Sequence, residues 1–409
     1  MSFRLSTIQE YNRFIAVDIG SYKIRVLICE IENGSLKLLW KASVRQSRNH
    51  MLDGDISDMQ WVAETIQKAI LKAWSHLEEI PTDIITSFSS RTMPYDILTM
   101  NYTRSQKDAK VTLDELDVMI KRVEGKSFDR IRNKLLEYTG DRNTDIRLIS
   151  SSLTSIFIDG KRIANPTGFI WKDIRFTVMN IYTSTSDFSS IHSVLNSLDR
   201  KTISVVPSLV LYPKIIEKSA SIFDTNVYLD IGYHRVNIVY ESHNEIIWSI
   251  VVPFWLALLE LEISKAFPEM SMIDIENNII ALLELSKSAI LKNEKYREMS
   301  IIANDFLEMI GEYIIIGGEK VSKELVIKNL FLCSASASNQ YITQYWKDFF
   351  KNTTHHAVSM NSPEVFLWET KIEIEYYLAT ALAEVASELL LAKKDPIIRI
   401  LRYIIYQYD

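Results

Sequence analysis

Two short stretches of this chain carry side chains that could handle phosphate and a divalent cation. The first is Asp18-Ile19-Gly20-Ser21-Tyr22-Lys23, and the second is Asp230-Ile231-Gly232-Tyr233. In each, a carboxylate ends an apolar run and a glycine follows two residues later. A glycine lets backbone N–H groups approach a phosphate that a Cβ would hold away. A neighbouring carboxylate can hold magnesium through water, the coordination this cation favours. Two such turns facing one another across a cleft could clamp the β- and γ-phosphates of a nucleotide, with Asp18 and Asp230 on the metal side. Lys23 and Arg235 bring positive charge to the two turns, although a surface lysine and an exposed turn arginine are the plainer readings of those positions.

The elements that must position these residues repeat as well. Phe14–Ile19 is a buried strand, and Lys23–Glu30 returns beside it, opening with charged and apolar residues in alternation. Asn33-Gly34 supplies a hairpin turn before a third strand over Leu36–Trp40. Val227–Ile231, Val236–Glu241 and Glu245–Val252 read the same way, with a turn at His243-Asn244. The duplication of strand, Asp-x-Gly and returning strand is the most informative feature of the sequence. Helices are expected over 61–73 with Asp58 as cap, over 112–123 with a Thr112/Glu115 capping box, and over 190–198. Further helices are expected over 255–266, 274–291, 301–314 and 373–391. Ile146–Ile158 reads as a strand pair closed at Asp159-Gly160, and Asn329–Cys333 as a strand entering a loop of small residues, 334–338.

At 409 residues, with 47% hydrophobic and 24% charged residues, the chain is expected to be globular and to contain more than one subdomain. A net charge of -6 offers no broad basic field, so nucleic acid is not an expected partner. Two cysteines, Cys29 and Cys333, argue for a reducing compartment rather than a disulfide framework. Neither a secretory leader nor an apolar run of membrane-spanning length is seen, which fits a cytoplasmic protein. The adjacent histidines His355 and His356 have no third ligand in view and read as part of a solvated loop.

The paired hairpins, followed by small residues near position 334, resemble the actin and sugar-kinase superfamily. Asp18–Lys23 looks like its first phosphate motif, Asp230–Gly232 like its second, and Leu332–Ala337 like its adenosine loop. Three further stretches resemble the bacterial cell-division family FtsA: Asp53–Asp58 before a helix, Ile158–Gly160 followed by Asn165-Pro166-Thr167-Gly168, and the Thr112 helix. That resemblance implies an α/β actin-like fold, built from duplicated ribonuclease-H-like domains with an inserted subdomain. Its divisions would be 1–84 with 173–202, the insertion 85–172, then 203–254 with 326–372, then 255–325, a closing helix 373–394 and a terminal segment 395–409. It implies ATP and Mg2+ as cofactors, with Asp18, Gly20, Ser21, Tyr22, Lys23, Asp230, Gly232, Tyr233, Ser334, Ala335 and Ser336 at the nucleotide. It also implies filament formation with other copies of the chain, binding of the FtsZ C-terminal tail through about 255–325, and contact with other division proteins at the inner face of the cell membrane.

The sequence departs from that pattern where nucleotide would sit. Bulky Tyr233 and His234 replace small residues, and Ser and Ala alternate where the adenosine loop usually has glycines. Trp255 and Leu256 stand where a Gly-Gly pair is typical. The expectation is ATP binding in weakened form, with at most feeble hydrolysis. In the terminal segment Ile397, Ile398, Leu401, Ile404 and Ile405 share one helical face, with Arg399 and Arg402 near a polar one. This is the pattern of a helix lying on an anionic membrane surface, or of a terminal helix packed on the body. Two alternatives remain beside the division scaffold. One is an interaction protein like the pilus-assembly protein PilM, and the other is a small-molecule kinase, which the missing glycines disfavour.

Overall fold

The computed structural model describes residues 12–392, except 76–78, 91–92, 105–107, 140–144, 164–165, 215–223, 254, 322–325, 334–338, 355–357, 362 and 368–369. The loop residues Ser334, Ala335 and Ser336, the His355-His356 pair, Asn165 and the segment 395–409 lie outside the described residues.

The first half opens with an antiparallel meander of β1 (Asn12–Ile19), β2 (Lys23–Glu32) and β3 (Ser35–Arg45). A small ribbon, β4 (Met51–Leu52) and β5 (Asp55–Ile56), turns at Asp53-Gly54, where φ is 49° and 82°. Helix α1 (Met59–Trp74) follows, and the Asp58 side chain caps it by accepting the Trp61 N–H at 3.1 Å. Strand β6 (Asp83–Phe88) then lies parallel to β1.

An insertion comes next, made of β7 (Tyr95–Thr103), α2 (Leu113–Thr139), β8 (Ile146–Ile158), β9 (Lys161–Arg162) and β10 (Asp173–Ser184). It forms its own sheet, in the order β7-β10-β8-β9, with α2 packed on it around Val123, Trp171 and Phe176. Residues 146–158 make one long strand rather than the expected pair; its curvature is absorbed by two register shifts against β10. Helix α3 (Thr185–Ser197) and strand β11 (Lys201–Pro207) complete the first sheet, whose order is β11-β6-β1-β2-β3.

The second half repeats the plan. Its meander is β12 (Thr225–Ile231), β13 (Val236–Ser242) and β14 (Glu245–Val252). Four helices follow: α4 (Leu256–Ala266), α5 (Met272–Glu284), α6 (Lys287–Leu291) and α7 (Glu294–Val321). Then β15 (Asn329–Leu332), α8 (Gln340–Thr353) and β16 (Ser359–Asn361) produce the sheet order β14-β13-β12-β15-β16. In both sheets an antiparallel three-strand meander continues as parallel strands beside its first member. The duplication read from two Asp-x-Gly triplets thus extends to whole sheets.

A ribbon of β17 (Val365–Leu367) and β18 (Thr370–Ile372) leads into α9 (Tyr377–Ala392), which lies between the sheets. Its buried face is made largely of Ala379, Ala381, Ala383 and Ala386, and such small side chains let the helix approach Phe14, Ala16 and Leu27 closely. The outer face of the first sheet is covered by α1 and α3, and that of the second by α4, α5, α7 and α8.

Several expected helix boundaries moved: the helix expected over 112–123 runs on to Thr139, and that expected over 190–198 begins at Thr185. The helix expected over 274–291 breaks at Leu285-Ser286 into α5 and α6. The helix expected to stop at 314 runs to Val321, because Gly317 is a packing position and not a terminator. A Cβ on Gly317 would stand 2.3 Å from the Trp248 ring and 2.5 Å from the Tyr240 hydroxyl.

Candidate functional site

The β1–β2 and β12–β13 turns face one another across a cleft of about 450 Å³ between the two halves. Asp18, Gly20, Ser21, Tyr22 and Lys23 line it from one side, and Asp230, Gly232 and Tyr233 from the other. All eight described residues singled out for nucleotide therefore stand around one space. The side chains of Asp18, Tyr22, Lys23, Asp230 and Tyr233, however, are engaged with the protein itself.

Asp18 is 5% exposed, and its carboxylate is held twice. The Ser87 hydroxyl donates to it at 2.9 Å, and Arg25, its cross-strand partner on β2, forms an ion pair at 3.3 Å. Burial raises the pKa of this carboxyl, while Arg25 and Ser87 pull against that rise. Asp230 sits at the equivalent place on β12 opposite Asn237. It accepts the Tyr212 hydroxyl at 2.7 Å and the Asn237 amide at 3.3 Å. Burial, opposed by the Tyr212 bond and reinforced by the nearby charge of Asp18, pushes its pKa up to about 6.

The glycines serve the turns themselves. A Cβ at Gly20 would meet the Lys23 carbonyl at 2.7 Å, and one at Gly232 would meet the Arg235 carbonyl at 3.0 Å. The Gly232 N–H is spent on that same Arg235 carbonyl, at 2.9 Å. Lys23 pairs with Glu375 at 3.3 Å, at the start of the last helical segment.

Between the hairpins the Tyr22 and Tyr233 rings stack, with centroids 5.6 Å apart. Each hydroxyl donates to a buried carboxylate of the second half: Tyr22 to Glu276 on α5 and Tyr233 to Glu260 on α4, both at 2.8 Å. Two arginines of the first half complete the cluster. Arg45 lies over the Tyr22 ring and bonds Glu276, and Arg48 reaches both Glu276 and Glu260 at 3.0 Å. Burial, then the bond to Glu276, pushes the Tyr22 pKa up to about 12, and burial raises that of Glu260. A second bridge runs the other way: Arg235 of β12–β13 donates to the Asp53 carbonyl at 2.7 Å and to Asp55 at 2.9 Å. Gly54 makes room for it, since a Cβ there would lie 2.2 Å from the guanidinium.

Sequence reading missed Arg25, Arg45, Arg48, Glu260 and Glu276. One signal was available: once the β1–β2 turn is drawn, Arg25 is the residue opposite Asp18. No such local cue exists for Glu260 and Glu276, which sit on amphipathic helices as polar-face residues do.

This donor set does not fit a magnesium ion bound through Asp18 and Asp230. A guanidinium already neutralises Asp18, and a second positive charge there would be repelled. Among the described residues no group of three or more His, Cys, Asp or Glu is placed to hold a metal. A phosphate between the turns would compete with carboxylates for Lys23, Arg45, Arg48 and Arg235. Among the described residues, no helix is long and apolar enough to cross a membrane.

Two ribonuclease-H-like sheets, a cleft between their first hairpins and a subdomain inserted in the first half define the actin-like ATPase fold, and this chain has it. No protein-family model and no curated protein sequence matches the chain. Among solved structures it is similar to a chain of a PilM-PilN type IV pilus biogenesis complex, with TM-score 0.64 and 12% identity over 91% of this chain and 98% of that one. It is similar to the ethanolamine utilization protein EutJ from Carboxydothermus hydrogenoformans, with TM-score 0.50 and 10% identity over 91% and 89% of the two chains. It is also similar to a diol dehydratase-reactivating factor solved in nucleotide-free form, with TM-score 0.50 and 8% identity over 92% and 100%.

Proposed function

We propose that this protein is an assembly scaffold, an actin-like body that binds a segment of a partner protein and does not depend on turning over ATP. The observation that carries this is the cleft itself. Its two carboxylates are held by Arg25, Ser87, Tyr212 and Asn237, so the fold is kept while the residues for phosphoryl chemistry are committed to structure. Within that reading a PilM-type role comes first, as one member of a pilus-biogenesis complex with a PilN-type partner. The likeness to the PilM-PilN structure supports it, because it runs through 98% of that chain.

The second reading is the FtsA-type one: a scaffold polymerising at the inner membrane face and tethering the FtsZ C-terminal tail. The Asp53–Asp58 stretch supports it, since it turns tightly and feeds a capped helix. That support is shared, because the same turn also receives Arg235. In either role the segment 395–409 would serve as the membrane contact through Ile397, Ile398, Leu401, Ile404 and Ile405.

Fluorescence anisotropy with a labelled PilN-type protein and a labelled FtsZ tail peptide separates the two. Saturable binding of the first supports the PilM-type role, and binding of the second supports the division role. Failure of both overturns the scaffold reading in these forms. Co-sedimentation with anionic vesicles, comparing the full chain with one ending at Lys394, tests the membrane contact; equal pelleting of the two forms rejects it.

A further inference from the structure

In a nucleotide-clamped two-lobed fold, phosphate and metal would bridge the lobes. Here side chains of the chain itself bridge the lobes. One bridge is the cluster in which Tyr22, Arg45 and Arg48 of the first half meet Glu260, Glu276 and Tyr233 of the second. The other is Arg235, which crosses in the opposite direction to Asp55 and the Asp53 carbonyl. The two bridges exchange charge in both directions: cations of the first half meet anions of the second, and the reverse.

Burial gives these contacts strength. Glu260 and Glu276 are 1% and 4% exposed, and Arg235 is 6% exposed. The Arg45 and Arg48 side chains that reach the two glutamates are 53% and 35% exposed, so it is the carboxylates that lose water, and each is stable there only while its partners stay. Opening the cleft would strip Glu276 of Tyr22, Arg45 and Arg48 and leave Glu260 with Tyr233 alone of these partners. Gly54 is a further sign of fit: its φ of 82° and its missing Cβ let the Arg235 guanidinium lie against the turn.

We propose that the closed arrangement of the two lobes is built into the chain, held by this two-way latch of arginines, tyrosines and buried glutamates in place of Mg-ATP. The latch makes closure constitutive, so surfaces that span both lobes are presented without a nucleotide cycle. This goes beyond the scaffold reading and does not depend on which partner binds.

The test uses the full chain with spin labels at Gln60→Cys on α1 and Asn277→Cys on α5, both exposed positions. The native Cys29 and Cys333 are buried and so do not take label. Pulsed electron–electron resonance is expected to show one narrow distance without nucleotide, unchanged by Mg-ATP at millimolar concentration. Adding Arg235→Ala and Glu276→Gln is expected to broaden that distance and move it outward, with circular dichroism confirming the fold. A broad distribution in the unmutated latch that narrows only with Mg-ATP overturns the proposal. A narrow distance that survives both latch substitutions overturns it too. Where the double variant does not fold, the comparison with and without Mg-ATP still decides.

Discussion

The two hairpins are copies of one motif, and they keep their carboxylates by different means. Asp18 on β1 faces Arg25, and Asp230 on β12 faces Asn237, at the same spacing of seven residues across each turn. The first is neutralised by a guanidinium, whereas the second is held by neutral donors, the Tyr212 hydroxyl and the Asn237 amide. The consequence is chemical. Asp230 carries a pKa pushed up to about 6, and Asp18 has a cation opposing its burial. Duplication preserved where the carboxylate sits and let its electrostatic environment diverge, so position alone does not assign a role in metal binding.

Copying the second hairpin into the first breaks the comparison most severely. Arg25→Asn leaves Asp18 buried without its counter-charge and should cost about 3–5 kcal/mol, read from urea unfolding. A loss below about 1 kcal/mol would mean that the ion pair does not hold Asp18. In the second hairpin, Tyr212→Phe removes the closest donor to Asp230 and should cost about 1.5–3 kcal/mol. It should also raise the Asp230 pKa further, which carboxyl-carbon NMR titration would follow; an unmoved titration contradicts the assignment. Asn237→Ala removes a longer bond and should cost about 1 kcal/mol.

Dependence on pH sharpens the contrast with a smaller effect. The folded pKa of Asp230, about 6, lies above the ordinary carboxyl value of 3.8. The folded protein therefore keeps a proton that the unfolded chain has lost. That contribution is fully present below about pH 4, is lost as pH rises through about 6, and is flat above. Asp230→Asn should remove this part of the slope between pH 4 and 6. An unchanged slope would show that Asp230 does not titrate in that window.

Much of the fold was legible because it rests on local pattern. Apolar runs ending in Asp-x-Gly located β1 and β12, alternation located their returning strands, and Asp58 announced α1. The parts that were not legible depend on contacts distant in sequence. The helix expected over 301–314 stopped short of Gly317, yet within α7 Gly311 makes room for Phe349 and Gly317 for Tyr240 and Trp248. Tyr233 read as an obstacle to phosphate, and its size is what lets it stack on Tyr22 and reach Glu260. The carboxylates of the latch were hidden because α4 and α5 expose most of their other acids, so helical period alone does not mark Glu260 and Glu276 as buried. Arg25 could have been read across the turn, and with it the competition for Asp18.

The central claim is that side chains do in this cleft what magnesium and phosphate would otherwise do. Thermal unfolding of the full chain with 0 and about 1 mM Mg-ATP tests it most directly, because a ligand specific to the folded state raises Tm in proportion to its binding free energy. The account predicts the same Tm in both conditions. A rise of several degrees that disappears in Asp18→Ala would contradict it and return the hairpins to nucleotide binding.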